Sequence, residues 1–197
     1  MTRLKQLVPA LLLGCLLPCI GQAYQINLAS MTCEQYEKTI MNPPAASVEA
    51  GTPDAVDVIM WLFGFAVAKS GAHVMYGDAL QQFGNGLDSE CKIHPANTLL
   101  DSIGAVKLAD VNPMDLTTLE CTTFEVRNAD MAQSDPQSAN TIMMWLFGFS
   151  VGKAGGHVLD PGGLRTFAAA LSNQCTLHPA ASLFDALTMV KQPRPRK

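Results

Sequence analysis

The sequence predicts an all-α protein built as two tandem small helical-bundle domains, each with one intradomain disulfide. Three observations carry this. Met60-Trp61-Leu62-Phe63-Gly64-Phe65 recurs unchanged as Met144-Trp145-Leu146-Phe147-Gly148-Phe149, 84 residues later. Cys33 and Cys91 bracket the first copy, and Cys121 and Cys175 the second. Apolar residues recur at helical spacing, and no stretch shows a convincing strand alternation.

The chain opens with Arg3 and Lys5, followed by a nearly pure apolar run of 14 residues from Leu7 to Ile20. That run is too short to span a bilayer and reads as a secretory signal, residues 1–23, cut after Ala23. A lipoprotein site at Leu12-Leu13-Gly14-Cys15 ranks lower, because it leaves a very short apolar run upstream. No later segment has 18 uncharged apolar residues, so no membrane span is expected. Cys15 and Cys19 leave with the leader, and an even set of four remains in an exported chain, which implies disulfides. Spacing alone does not choose among the three possible pairings. The pairing that repeats is Cys33–Cys91 and Cys121–Cys175.

The 84-residue offset also aligns Lys69 with Lys153, His73 with His157, Phe83 with Phe167, His94 with His178, Pro95 with Pro179 and Asp101 with Asp185. The first cysteines are offset by 88, and the extra residues fall in the Pro- and Ala-rich loop Asn42 to Thr52. The organisation is therefore a first repeat at 24–106, a linker at 107–118 containing Pro113, a second repeat at 119–191 and a basic tail at 192–197.

Within the first repeat, Thr32 and Gln35 form a capping pattern before a short helix, Cys33 to Lys38. Thr52-Pro53 supplies a cap and a first-turn proline for a long helix ending near Gly71, with Val56, Ile59, Met60, Phe63 and Val67 at helical spacing. Asp135-Pro136 opens its counterpart. A third helix carries Leu80, Phe83, Leu87 and Cys91, matched by Leu164, Phe167, Leu171 and Cys175. Proline then opens a fourth, with Leu99, Leu100 and Ile103 matched by Leu183, Phe184 and Leu187. A bundle this small has little core, so a covalent staple matters to it.

The Trp-Leu-Phe-Gly-Phe helix is apolar all round. Phe63 can face its own repeat, while Trp61 and Phe65 lie on a neighbouring stripe that also needs cover, from the other repeat or a second chain.

Each repeat resembles the HdeA/HdeB family of periplasmic acid-stress chaperones. The resemblance rests on Met31-Thr32-Cys33-Glu34-Gln35-Tyr36, on Trp61 to Phe65, and on Cys91-Lys92-Ile93-His94-Pro95 before Leu99 to Ile103. Cys121, Trp145 to Phe149 and Cys175 to Pro179 carry it in the second repeat. It implies an HdeA-like helical fold in a periplasmic location and ATP-independent holding of acid-denatured periplasmic proteins. Family members dimerise near neutral pH and act after acid-induced dissociation and partial unfolding. The duplication here allows an intramolecular pseudo-dimer, or a homodimer. On this reading the client-binding or interface residues are Trp61, Leu62, Phe63, Phe65, Trp145, Leu146, Phe147 and Phe149.

The charge balance permits an acid trigger. Without the leader, 17 carboxylates face 11 Lys and Arg, a net charge of −6 at neutral pH. In strong acid the carboxylates are neutral, and the 11 bases with four histidines bring +15. Asp54, Asp57 and Asp78, Asp135 and Asp160, and the matched Asp101 and Asp185 are candidates, acting in sum. Singly they read as ordinary helix-start and surface carboxylates.

Other function classes find little support. A pI near 5.5 argues against a nucleic-acid partner. No nucleophile motif, zinc-protease motif or phosphate loop occurs, so no enzyme activity and no cofactor are expected. The pairs Asp88/Glu90 and Glu34/Glu37 read as solvated helix faces rather than acid–base dyads. The four histidines form two repeated pairs, short of the convergent set a metal needs, so no metal is expected. The end from Lys191 to Lys197 carries four positive charges and reads as a solubilising tail. The alternative function is a periplasmic immunity-type protein that binds and inhibits a peptidoglycan-amidase toxin.

Overall fold

A computed structural model describes residues 25–43, 54–76, 79–108 and 113–190. The expected leader, most of the Asn42 to Thr52 loop, Asp78 and the basic tail lie outside the described residues. The first half runs β1 (Ile26–Asn27), α1 (Cys33–Tyr36), α2 (Ala55–Lys69), β2 (Val74–Tyr76), α3 (Ala79–Ile93) and α4 (Leu99–Ala105). The second runs β3 (Pro113–Asp115), α5 (Cys121–Ser134), α6 (Pro136–Lys153), β4 (Val158–Leu159), α7 (Gly163–Leu177) and α8 (Leu183–Met189). The chain is mostly helical, with two disulfides, as the sequence predicts.

The local chemistry accounts for most boundaries. Thr32 and Gln35 cap α1 reciprocally: the Gln35 amide donates to the Thr32 hydroxyl at 3.2 Å and the Thr32 amide to Gln35 Oε1 at 2.9 Å. The α-geometry stops at Tyr36, before the expected Lys38, because the chain widens into a π-type turn over Glu37–Met41. The expected Thr52-Pro53 start lies outside the described residues; α2 is capped instead by Asp54, which accepts the Val56 amide at 2.9 Å. Asp135 and Pro136 open α6 as expected. After α2 and α6 the chain turns through Gly71 and Gly155, at φ 81° and 74°, a left-handed conformation that a Cβ disfavours.

Two expectations need correction. Pro95 and Pro179 do not open α4 and α8; Thr98 and Ser182 do, accepting the amides of Asp101 and Asp185. The proline carbonyls instead accept amides at the start of the preceding cysteine helices, from Glu34 at 3.0 Å and Thr122 at 3.1 Å. Val56, expected on the apolar face of α2, is exposed because it sits in the first turn, before the helix enters the core.

Disulfide Cys33–Cys91 ties α1 to α3, and Cys121–Cys175 ties α5 to α7. The halves are then joined by strands that the sequence did not reveal. β1 pairs antiparallel with β4, Ile26 opposite Leu159, and β2 with β3, Met75 opposite Met114. Each leading strand thus completes the opposite half. Just beyond them, the Leu28 amide donates to the His157 carbonyl at 2.9 Å and the Leu116 amide to the His73 carbonyl at 3.0 Å. β3 and the buried Leu116 fall within the stretch 107–118 that the sequence suggested as linker. Two or three residues cannot display an alternating pattern, and their partners lie in the other half.

Candidate functional site

The centre of the molecule is the contact between α2 and α6, which lie side by side and share one apolar core. Hydrophobicity on every face of both helices demands cover from two sides. Phe63 stacks on Phe83 of its own half, ring centroids 5.3 Å apart, and Phe147 on Phe167 at 5.1 Å. The other side of each helix meets its counterpart. The Phe63 ring meets Trp145 edge-on at 6.3 Å, and each tryptophan stacks on the phenylalanine four residues ahead, Trp61 on Phe65 and Trp145 on Phe149.

Gly64 and Gly148 set how close the helices come. A Cβ on Gly64 would collide with the Trp145 carbonyl oxygen, and one on Gly148 with the Trp61 carbonyl oxygen. The two glycines therefore form a reciprocal backbone-to-backbone crossing. Gly152 adds a third close point, its Cα facing the Ala68 methyl.

All eight residues singled out in the sequence, Trp61, Leu62, Phe63, Phe65, Trp145, Leu146, Phe147 and Phe149, are buried here, none more than 1 % exposed. The seam is held chiefly by apolar contact. Both tryptophan indoles, Trp61 Nε1 and Trp145 Nε1, are buried without a hydrogen-bond partner among the described residues.

Polar links between the halves lie at its rim. Asn140 on α6 donates to Asp57 on α2 at 2.9 Å. Partial burial, with Asp54 nearby, holds the Asp57 carboxyl above its ordinary value, and the Asn140 bond only partly offsets this. On the strands, Asp115 accepts both the hydroxyl and the amide of Thr117, and these bonds hold its pKa below 3.8. His73 of the other half, 3.8 Å away, adds to that. Asp135 is likewise held low by the Ser138 hydroxyl, then by the Ser138 amide.

The remaining candidates are local. Asp101 and Asp185 accept from the Thr98 and Ser182 hydroxyls that cap their own helices; Asp160 takes the Gly162 amide and is the exception, since it also accepts from Gln25 Nε2 of the first half at 3.4 Å. Asp115 was not singled out in the sequence. The Asp-x-Thr turn gave a signal for its low pKa, but the strand that places it against His73 was not visible. No group of three or more His, Cys, Asp and Glu converges on a possible metal site among the described residues. No helix there is long and apolar enough to cross a membrane.

The halves are not identical in filling. Phe184 on α8 meets Phe149 edge-on and lies beneath Lys153, whose Nζ is 5.3 Å from the ring centroid. The matching position in α4 is Leu100, which lines an open groove of about 580 Å³ with Phe65 and Lys69.

No curated protein and no solved structure matches the chain. The model of the HdeA/HdeB family matches residues 103–185, from α4 of the first half to α8 of the second, and so takes in Cys121, Cys175 and the whole of α6.

Proposed function

We propose that the protein is a periplasmic, ATP-independent holdase activated by acid, with the α2–α6 seam as its client-binding surface. The chain is read as a tandem duplication of an HdeA-like unit, exported by its leader and folded into an intramolecular pseudo-dimer. The observation that carries the reading is the seam itself: eight large buried apolar side chains on two helices that cover one another across two separately cystine-bridged halves, with Phe63 and Phe147 also packed on their own halves. Parting the halves uncovers that surface without breaking a covalent bond, and the bridges limit how far each half can unravel. The family match over 103–185 supports the same reading.

Acid supplies the driving force in two ways. Protonation swings the net charge outside the leader from −6 to +15, so like charges repel across the body. Asp115 and Asp135, whose carboxyls are held below the ordinary value by the Thr117 and Ser138 bonds, stabilise the fold when charged and lose this contribution as pH falls through their lowered pKa; for Asp115 the His73 contact from the other half adds to it. Asp57 acts in the opposite sense. Its raised folded pKa makes it unfavourable to the fold when charged, and protonation relieves that cost. The trigger is therefore a sum: the charge repulsion and the loss at Asp115 and Asp135 act against the relief at Asp57.

The test is light scattering of an aggregation-prone periplasmic protein shifted to about pH 2–3, with and without this chain. Suppressed scattering in acid and none at neutral pH is the expected result. Unchanged aggregation at excess chaperone removes the proposal.

A further inference from the structure

One end of the strand system differs in kind from its counterpart. Met75 and Met114 are direct cross-strand partners in β2 and β3. Side chains of such a pair leave the sheet on one face, their Cβ atoms roughly 5 Å apart. Both line a cavity of about 80 Å³, and Met131 on α5 lines it as well. The same cavity is lined by Asn128, whose Oδ1 is buried and has no hydrogen-bond partner among the described residues.

At the other end of the molecule the repeat offsets replace Met114 by Ile26, Met75 by Leu159 and Asn128 by Ile40. Those three are at most 4 % exposed and fill an ordinary core. Met114, by contrast, is 42 % exposed, so the cavity has a route to solvent. One half keeps a packed hydrocarbon plug where the other has sulfur, an unmet amide oxygen and an opening.

We propose that Met75, Met114 and Met131 form a thioether site for a soft monovalent cation of the Cu(I)/Ag(I) class, with Asn128 Oδ1 as an additional neutral donor. The donor set fits that class. Thioether sulfur is soft and uncharged, and it selects Cu(I)-type ions over hard or borderline divalent ones. No carboxylate is among the described residues lining the cavity, so a hard or divalent cation finds no anionic ligand there, and the Arg127 at its wall leaves soft thioether bonding as what must hold any cation. The site uses neither the histidines nor the cystines. It spans both halves, Met75 from the first and Met114 and Met131 from the second, so it is complete only while the halves stay docked.

Silver(I) is the probe, titrated in halide-free buffer into the oxidised protein without its leader, beginning at Tyr24, so that every cysteine present is bridged and no free thiol competes. Native mass spectrometry and calorimetry should show one Ag(I) per chain, with equal affinity at pH 7 and about pH 5. Thioethers do not titrate, whereas imidazoles of pKa ~6.5 are mostly protonated at the lower pH. Met75→Leu or Met114→Leu is near-isosteric and should weaken binding at least tenfold with unchanged circular dichroism. The double variant should lose the site, while the remote Met189→Leu should keep it. The proposal is overturned if wild type takes up no stoichiometric silver. It is equally overturned if the double variant binds as wild type does, or if binding vanishes at pH 5 or in His73→Ala.

Discussion

The glycine crossing can be tested by adding a single methyl group. In Gly64→Ala the new Cβ meets the Trp145 carbonyl, which is backbone in the middle of α6 and cannot rotate away. The helices must separate by about 1 Å, and a gap of that size forfeits a quarter to a half of the dispersion energy of the atoms facing it. Overpacking costs about 1–3 kcal/mol, and a backbone obstacle puts this site at the upper end. Alanine returns about 1 kcal/mol through helix propensity. The net weakening is about 2 kcal/mol, roughly a thirtyfold shift toward the open form. Gly104→Ala is the control: it lies in α4 with nothing within 4 Å of the added methyl, so only the propensity gain applies. Tryptophan emission and binding of a hydrophobic dye, followed from pH 7 to 2, read the outcome. Gly64→Ala and Gly148→Ala should open at higher pH than wild type, with far-UV helicity retained at neutral pH, and Gly104→Ala should not. A Gly64→Ala curve that overlays the wild-type one would refute the reasoning, because the seam would then not be what protons open.

Further outcomes follow from other contacts. Paired replacement of Cys33 and Cys91 by serine removes a closure spanning 58 residues, about 4 kcal/mol in the chain-entropy model, and should remove the first half's share of the helicity that remains in acid, read by circular dichroism at pH 2, while the half closed by Cys121–Cys175 keeps its own. Asp57→Asn should be more stable than wild type to urea at pH 7 and equal to it near pH 2, since the penalty it removes exists only when Asp57 is charged. Asp135→Ala should show the opposite profile, less stable at pH 7 and converging with wild type once the pH is below the lowered pKa of the cap. The pH midpoint of opening should stay fixed over about a hundredfold range of protein concentration, because closure is intramolecular; a midpoint that rises on dilution would mean that a second chain completes the seam.

Much of this organisation could be read in the sequence. The caps Thr32 and Asp135 are short-range chemistry, and four-residue spacing through Phe83, Leu87 and Cys91 is visible along the chain, whereas the Thr98/Asp101 cap was overshadowed by the nearby proline. The repeat itself pointed to the two disulfides. For α2, apolar residues on every face announced burial on two sides but not the identity of the cover. Identical glycines at 64 and 148 were the available hint, and it means something only once the helices are known to touch. The strands were hidden for a different reason: each gains its hydrogen bonds from the far half, and pairs such as Ile26 with Leu159 have no local signature. The methionine cavity likewise draws on β2, β3 and α5, three segments with no common motif.

The exchange of leading strands bears on what happens if the backbone is cut. Ile26 and Asn27 belong by sequence to one piece and by hydrogen bonding to the other, and the same holds in reverse for Pro113 to Asp115. A single proteolytic nick between Leu108 and Pro113 would therefore leave two fragments, each holding a strand the other lacks. Such fragments should co-purify as a complemented pair, and neither alone should recover the protease resistance of the intact chain.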